Sequence, residues 1–227
     1  MIHLLNVRKV FNAGKPNECS AIQGINLKIV PQNVTVFMGP SGSGKTTLLS
    51  LIGCMARPTA GRIYLMEKEL TSLPERFLTE ARRKTFGFIF QQFNLVKGIS
   101  VLENVMLPAY PVGEPRTSLR KRATDLLELL NIGEKAGTKI EWISGGQAQR
   151  VAVARALINN PSVVIADEPT AHLDSDLAKR LMDIFAGFKE EGKTILIASH
   201  DPIVFDAPVV DTVVNMRDGK ITASGTA

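Results

Sequence analysis

Uninterrupted apolar runs alternate with amphipathic segments along much of the chain. Val34-Thr35-Val36-Phe37-Met38 reads as a strand buried on both faces. A Gly/Ser-rich loop follows it, and an apolar helix runs from Thr46 to Ile52, closed by Gly53. The order returns later: Ser162-Val163-Val164-Ile165-Ala166, bounded by Pro161 and Asp167, has the composition of a parallel strand covered on both sides. Next comes an amphipathic helix with Leu177, Leu181, Ile184, Phe185 and Phe188 on one face and Gly192 as its stop, then a buried strand from Thr194 to Ser199. Strands and helices alternating in this way predict a parallel α/β sheet.

Three stretches depart from the alternation. The first thirty residues and Gly61-Arg62-Ile63-Tyr64-Leu65 read as short strands of a small antiparallel sheet. From about Phe93 to Asn160 the pattern is mostly helical, with Leu119, Ala123, Leu126, Leu127 and Leu130 at helical spacing before Gly133, as in an insertion into the α/β core. The end reads as a hairpin: Val209 to Met216, an Arg217-Asp218-Gly219-Lys220 turn, then Ile221 to Ala223. At roughly 150 residues per domain, 227 residues without repeats or a Gly/Ser linker predict one domain. Residues of about 1–92 and 161–227 would form the α/β core with its antiparallel subdomain, and about 93–160 a helical subdomain.

Composition narrows the class. Hydrophobic residues at 44% and charged residues at 22% provide a sizeable core. No stretch approaches the ~18 to 20 uncharged apolar residues of a membrane helix, and Met1 to Phe11 carries His3, Arg8 and Lys9, unlike a signal peptide. A cytoplasmic location follows unless something else anchors the chain. The net charge of +5 is compatible with an acidic partner or with an ordinary basic surface. The runs Arg82-Arg83-Lys84 and Arg120-Lys121-Arg122 lack interleaved aromatics, so no nucleic acid is expected. Cys19 and Cys54 form neither a CxxC nor a pair with histidine, which points to reduced structural thiols.

The candidate chemistry starts at Gly39-Pro40-Ser41-Gly42-Ser43-Gly44-Lys45-Thr46, a G-x-x-x-x-G-K-[ST] loop between a predicted strand and helix. Glycines let backbone N–H groups converge on phosphate oxygens, and the helix N-terminus adds partial positive charge. Lys45 would reach the β- and γ-phosphates of a nucleoside triphosphate and Thr46 would hold Mg²⁺. A second apolar strand ends in Asp167 and Glu168, at the sheet edge where such folds bind ligands. Asp167 is placed for the Mg²⁺ shell, and Glu168 for polarising a water toward the γ-phosphate.

Ile143-Ser144-Gly145-Gly146-Gln147, opening a helix between the phosphate loop and the two carboxylates, resembles the signature of ABC-type ATPases. The resemblance continues through Gln91 after the strand Phe86 to Phe90, Thr170-Ala171-His172-Leu173-Asp174, and His200 after the strand Thr194 to Ser199. It implies a P-loop NTPase fold with a RecA-like parallel core, and ATP with Mg²⁺ as ligands. Two domains would pair head to tail, probing each nucleotide with Lys45, Thr46 and Thr47 of one copy and Ser144, Gly145, Gly146 and Gln147 of the other. It further implies a switch role for His200 at the γ-phosphate and attacking water. Gln91 would contact Mg²⁺ or the water while joining the helical insertion to the core; neighbouring Gln92 is the alternative, and the preceding Gly-Phe-Ile-Phe favours Gln91. Asp174 would lie across the dimer interface. Phe11 stands where the family stacks an aromatic on adenine, although a place in the core of the small sheet is also open.

Several positions depart from the family pattern. Ile143 replaces the usual Leu, Trp142 precedes it as either a core residue or a contact for a membrane subunit, and His172 is either a solvated loop residue or a source of pH sensitivity. Gly87-Phe88-Ile89-Phe90-Gln91-Gln92-Phe93-Asn94-Leu95, Val101-Leu102-Glu103-Asn104-Val105 and Met216-Arg217-Asp218-Gly219-Lys220 look like ATPase subunits of lipoprotein-releasing and macrolide-export systems. That branch implies a second ATPase subunit, an integral membrane permease, and a peripheral position on the cytoplasmic face of the inner membrane. Signalling in a division or envelope complex without transport, and an importer role, are the alternative readings.

Overall fold

The computed structural model describes residues 2–171 and 173–226, so His172 lies outside the described residues. Among the described residues, ten strands form two sheets. The first is antiparallel and is built from β1 (Ile2–Phe11), β2 (Cys19–Ile29), β4 (Ala60–Leu65) and β5 (Lys68–Glu69), in the order β2-β1-β4-β5. At 10 and 11 residues, β1 and β2 are longer than the short strands expected, with register shifts that let them bend.

The second sheet contains β3 (Val34–Met38), β6 (Phe86–Ile89), β7 (Val163–Asp167), β8 (Thr194–Ala198), β9 (Thr212–Arg217) and β10 (Lys220–Thr226), in the order β10-β9-β3-β8-β7-β6. All neighbours are parallel except the β9–β10 hairpin, whose Asp218 and Gly219 adopt φ of 49° and 73°, the left-handed pair of a tight hairpin turn.

The period of two along each strand sorts side chains to two cores. Val36, Val164, Ala166, Ile195 and Ile197 face one core, where they meet α3 (Val101–Met106), α4 (Arg116–Leu129), α5 (Gly145–Leu157) and α6 (Ser175–Glu190). Phe37, Val163, Ile165, Leu196 and Ala198 face the other, under α1 (Lys45–Ile52) and the inner face of the antiparallel sheet. Burial on both sides explains the unbroken apolar runs, each full-sized aliphatic side chain contributing ~1.5 to 3 kcal/mol. The helices of 93–160 share their apolar core with the sheet face rather than enclosing one of their own.

Helix α2 (Glu75–Thr85) has no counterpart in the hydrophobic pattern because Leu78 is its sole buried residue. Polar contacts anchor it instead. Arg82 pairs with Glu75 at 2.6 Å and donates to the Cys54 carbonyl at 2.6 Å, tying α2 to the end of α1.

Candidate active site

The strand β3 stops at Met38 and α1 starts at Lys45, so residues 39–44 make the turn between them. Gly39 has φ of 156°, and a Cβ there would lie 2.2 Å from the Met216 carbonyl oxygen, which leaves room for no side chain. The loop is also held from outside. Gly219 N–H donates to the Ser43 carbonyl at 3.0 Å, while Gln23 donates from its backbone to Gly219 at 2.8 Å and from its side chain to the Asp218 carbonyl at 2.9 Å. The β9–β10 turn thus clamps the loop against β2. Ser43 Oγ is buried without a hydrogen-bond partner, a group that needs a polar ligand or water.

Chemistry-bearing side chains converge beside this loop. Lys45 is 6% exposed, and its Nζ donates to the carbonyls of Gly39 at 2.7 Å and Pro40 at 3.2 Å. Thr46 Oγ1 donates to Asp167 Oδ1 at 3.0 Å, joining the first turn of α1 to the end of β7. Burial raises the Asp167 pKa above the ordinary carboxylate value, and the neighbouring Glu168 charge pushes the same way. The Thr46 hydrogen bond and the Lys45 charge oppose the shift. Glu168, at φ of 46°, holds a left-handed conformation uncommon for a residue with a side chain; its N–H donates to the Ala198 carbonyl at 2.8 Å. His200 follows β8, and the next residue, Asp201, fixes it: Asp201 Oδ1 caps α7 (Pro202–Phe205) by accepting from Ile203, and Oδ2 accepts from Thr170 at 2.8 Å.

Lys45, Thr46, Glu168 and His200 border an open cavity of about 710 Å³, lined by residues 40–47 together with Phe11 and Gln91, while Gly39 and Asp167 stand behind its lining, Asp167 reaching it through Thr46. Thr47 and Gln91 therefore reach the cavity, and Gln92 is not among its lining residues. Phe11 is 42% exposed, with Lys9 Nζ 5.0 Å from its ring centre, so the ring is not part of the small sheet's core. Trp142 is 74% exposed, which excludes the core reading of the two left open for it.

The candidates of the second anion site lie elsewhere. Ser144 caps α5 in a reciprocal box, its Oγ accepting from Gln147 N–H and its own N–H donating to Gln147 Oε1 at 2.9 Å. Gly145, Gly146 and Asp174 are likewise outside the lining, and Asp174 caps α6 by accepting from Leu177 N–H at 2.9 Å. Conversely, Cys19, Ser20, Ala21 and Gln23 of β2 and Asp218 of the turn line the cavity without having been singled out. Only strand pairing brings them there, and the Asp-Gly turn was their one local signal.

A glycine loop opening a helix, with a lysine, a hydroxyl and strand-end carboxylates converging on it, defines a phosphate-loop nucleotide site. The Thr46 hydroxyl and Asp167 carboxylate are hard oxygen donors suited to Mg²⁺. No group of three or more His, Cys, Asp or Glu forms a self-sufficient metal cage among the described residues, so the pair fits a cation whose shell is completed by phosphate and water.

The profile of the ABC transporter family matches residues 22–171, and the chain belongs to that family. It is an ABC ATP-binding cassette, the ATPase subunit of a transporter. An uncharacterized ABC transporter ATP-binding protein of Thermotoga maritima is 36% identical over 97% of this chain and 93% of its own length. The macrolide export ATP-binding/permease protein MacB of Hyphomonas neptunium is 41% identical over 97% of this chain, which spans 34% of that longer protein. Among solved structures, the dimeric ABC transporter cassette MJ0796 superposes with a TM-score of 0.92 at 38% identity, covering 100% of this chain and 98% of its own. A second structure of that cassette, with a TM-score of 0.92, is a dimeric post-hydrolysis state bound to ADP and Pi. Among the described residues of the present chain, no helix is long and apolar enough to cross a membrane.

Proposed function

We propose that this cassette hydrolyses ATP as a head-to-tail pair on the cytoplasmic face of the inner membrane and thereby drives a membrane permease that exports or extracts a substrate of lipoprotein, lipid, peptide or drug type across or from that membrane. One observation carries the pairing: Ser144 to Gln147 and Asp174 stand outside the cavity formed by Lys45, Thr46 and Glu168 in the same chain. A capped helix N-terminus with bare glycine amides is an anion site in search of a phosphate, and a second copy supplies one. The dimeric form of MJ0796 supports that arrangement, and the longer relatives named macrolide export ATP-binding/permease protein MacB, about a third of which this chain matches, support a membrane partner and export.

In this mechanism Lys45 and the amide N–H groups of residues 41–46 hold the phosphates, while Phe11 offers its exposed ring to the base. Thr46, Asp167 and Gln91 would hold Mg²⁺, which would neutralise phosphate charge when bound. Glu168 orients a water and takes its proton, with His200 placed beside that carboxylate to hold the reacting group. Ser144 and Gly146 of the opposite copy close over the nucleotide, and Asp174 steadies the facing site. Gln91 links the cavity to the helical segment of about 93–160, which passes opening and closing to the permease. Reconstitution with the co-purified permease in lipid vesicles tests this reading: ATP-dependent cargo movement is the expected result, and turnover without movement favours a signalling role.

A further inference from the structure

A second cavity, of about 210 Å³, opens between α5, α6 and the end of α4, and it shares no lining residue with the nucleotide cavity. Its walls are largely aliphatic: Leu130, Val153, Leu177 and Leu181 line it, and Leu129, also in the lining, is 61% exposed. An apolar concavity with a few convergent polar groups is the ordinary form of a small-molecule site.

Two donor atoms here lack acceptors. Gln149 is 3% exposed, and its Nε2 has no hydrogen-bond partner. The Nε of adjacent Arg150 is also buried and unpartnered, although the other end of that guanidinium donates to the Asn131 carbonyl at 3.3 Å. Buried donors without acceptors are rare in native proteins and mark a place where something accepts from them. Arg180 adds a second cation to the lining and Asp183 a single carboxylate, which leaves an excess of positive charge. Water alone accepts from the donors but leaves the aliphatic walls wet, and the volume corresponds to about seven waters at ~30 Å³ each.

We infer that this cavity binds a small monocarboxylate with an aliphatic body, its carboxylate accepting from Gln149 and Arg150 and its chain lying against Leu130, Leu177 and Leu181. A single negative charge matches two arginines facing one aspartate, and a molecule of about ten heavy atoms fills the volume. The site lies apart from the nucleotide cavity of its own chain, although Gly146, assigned above to the nucleotide of the opposite copy, is part of its lining.

Octanoate is the probe, titrated into the whole chain by calorimetry. The expected result is saturable one-to-one binding, at least tenfold weaker for octan-1-ol and at least tenfold weaker for Gln149→Leu, which keeps the side-chain size and removes the donor. Ile184→Trp, which fills the cavity from its partly exposed side, should abolish it. Binding of a fluorescent ATP analogue by each variant reports folding and separates this proposal from the nucleotide reading, since loss of ATP binding with octanoate binding intact counts against the latter alone. The proposal is overturned by no octanoate binding at millimolar concentration in a protein that binds the ATP analogue, by equal affinity for octanoate and octan-1-ol, or by unchanged binding in both variants.

Discussion

Glu168 Oε1 lies 3.0 Å from His200 Nδ1 and 3.7 Å from Lys45 Nζ, so one carboxylate oxygen joins the ends of two neighbouring strands to the phosphate loop. The Glu168 side chain is 12% exposed and His200 is 72% exposed, which sets a sheltered carboxylate behind an accessible imidazole. The proposed role of Glu168 as a base would have it act on water at the cavity side. Glu168→Gln should retain ATP affinity and lose turnover by ~10² to 10⁴, the usual range for a general base. Phosphate release under saturating ATP measures it, and near-normal turnover would remove Glu168 from the role.

Asp167 carries a stability cost that a place in a Mg²⁺ shell would explain. Burial raises its pKa in the folded chain, so the native state holds the proton more tightly than the unfolded one. Its contribution to stability is therefore greatest below the unfolded value of ~3.9 and declines as pH rises through the folded value. Asp167→Asn keeps an Oδ1 to accept from Thr46 and removes the buried charge. Its melting temperature should exceed wild type at pH 7, with the gain shrinking toward pH 4, while the Mg²⁺ needed for half-maximal turnover rises. A lower melting temperature at pH 7 contradicts the argument.

The two cysteines should react differently. Cys54 is 5% exposed, and burial pushes its thiol up to about 11, whereas Cys19 is exposed on the wall of the nucleotide cavity. A thiol reagent at pH 8 should modify one group in the folded protein, Cys19, and both after denaturation. ATP with Mg²⁺ should slow the first reaction severalfold. Equal rates with and without nucleotide would separate Cys19 from the nucleotide position.

Trp142 projects into solvent with Lys139 Nζ 5.7 Å from its ring centre. Its removal should change the stability of the isolated chain by no more than about 0.5 kcal/mol and leave basal turnover intact. As the only tryptophan, it should show the red emission of a hydrated indole, shifting to the blue when the permease binds. An unshifted spectrum in a stable complex would place the permease elsewhere.

The parts of the fold readable in the sequence are those with repeated apolar signals. Strands β3, β7 and β8 are covered on both faces, and α6 presents a full apolar stripe with Phe185 completely buried. Helix α2 gave no such signal because its anchor, Arg82, works through a hydrogen bond to Cys54 rather than through burial. In the site, the loop and the carboxylates are compact motifs with their own chemistry. Gln23 and Asp218, 195 positions apart, meet only because two sheets bring β2 to the β9–β10 turn, and no local pattern announces that meeting. Asp201 escaped notice for a similar reason: it acts by capping a short helix and holding Thr170.

The central claim is that the nucleotide completes its site across two copies, and the solution mass of Glu168→Gln with and without ATP and Mg²⁺ tests it most directly. Slowed hydrolysis should trap the closed pair, so the account predicts a monomer alone and a dimer of twice that mass when ATP is present. A protein that binds ATP yet stays monomeric at every concentration tested would contradict the assignment of Ser144 to Gln147 as the opposing phosphate site.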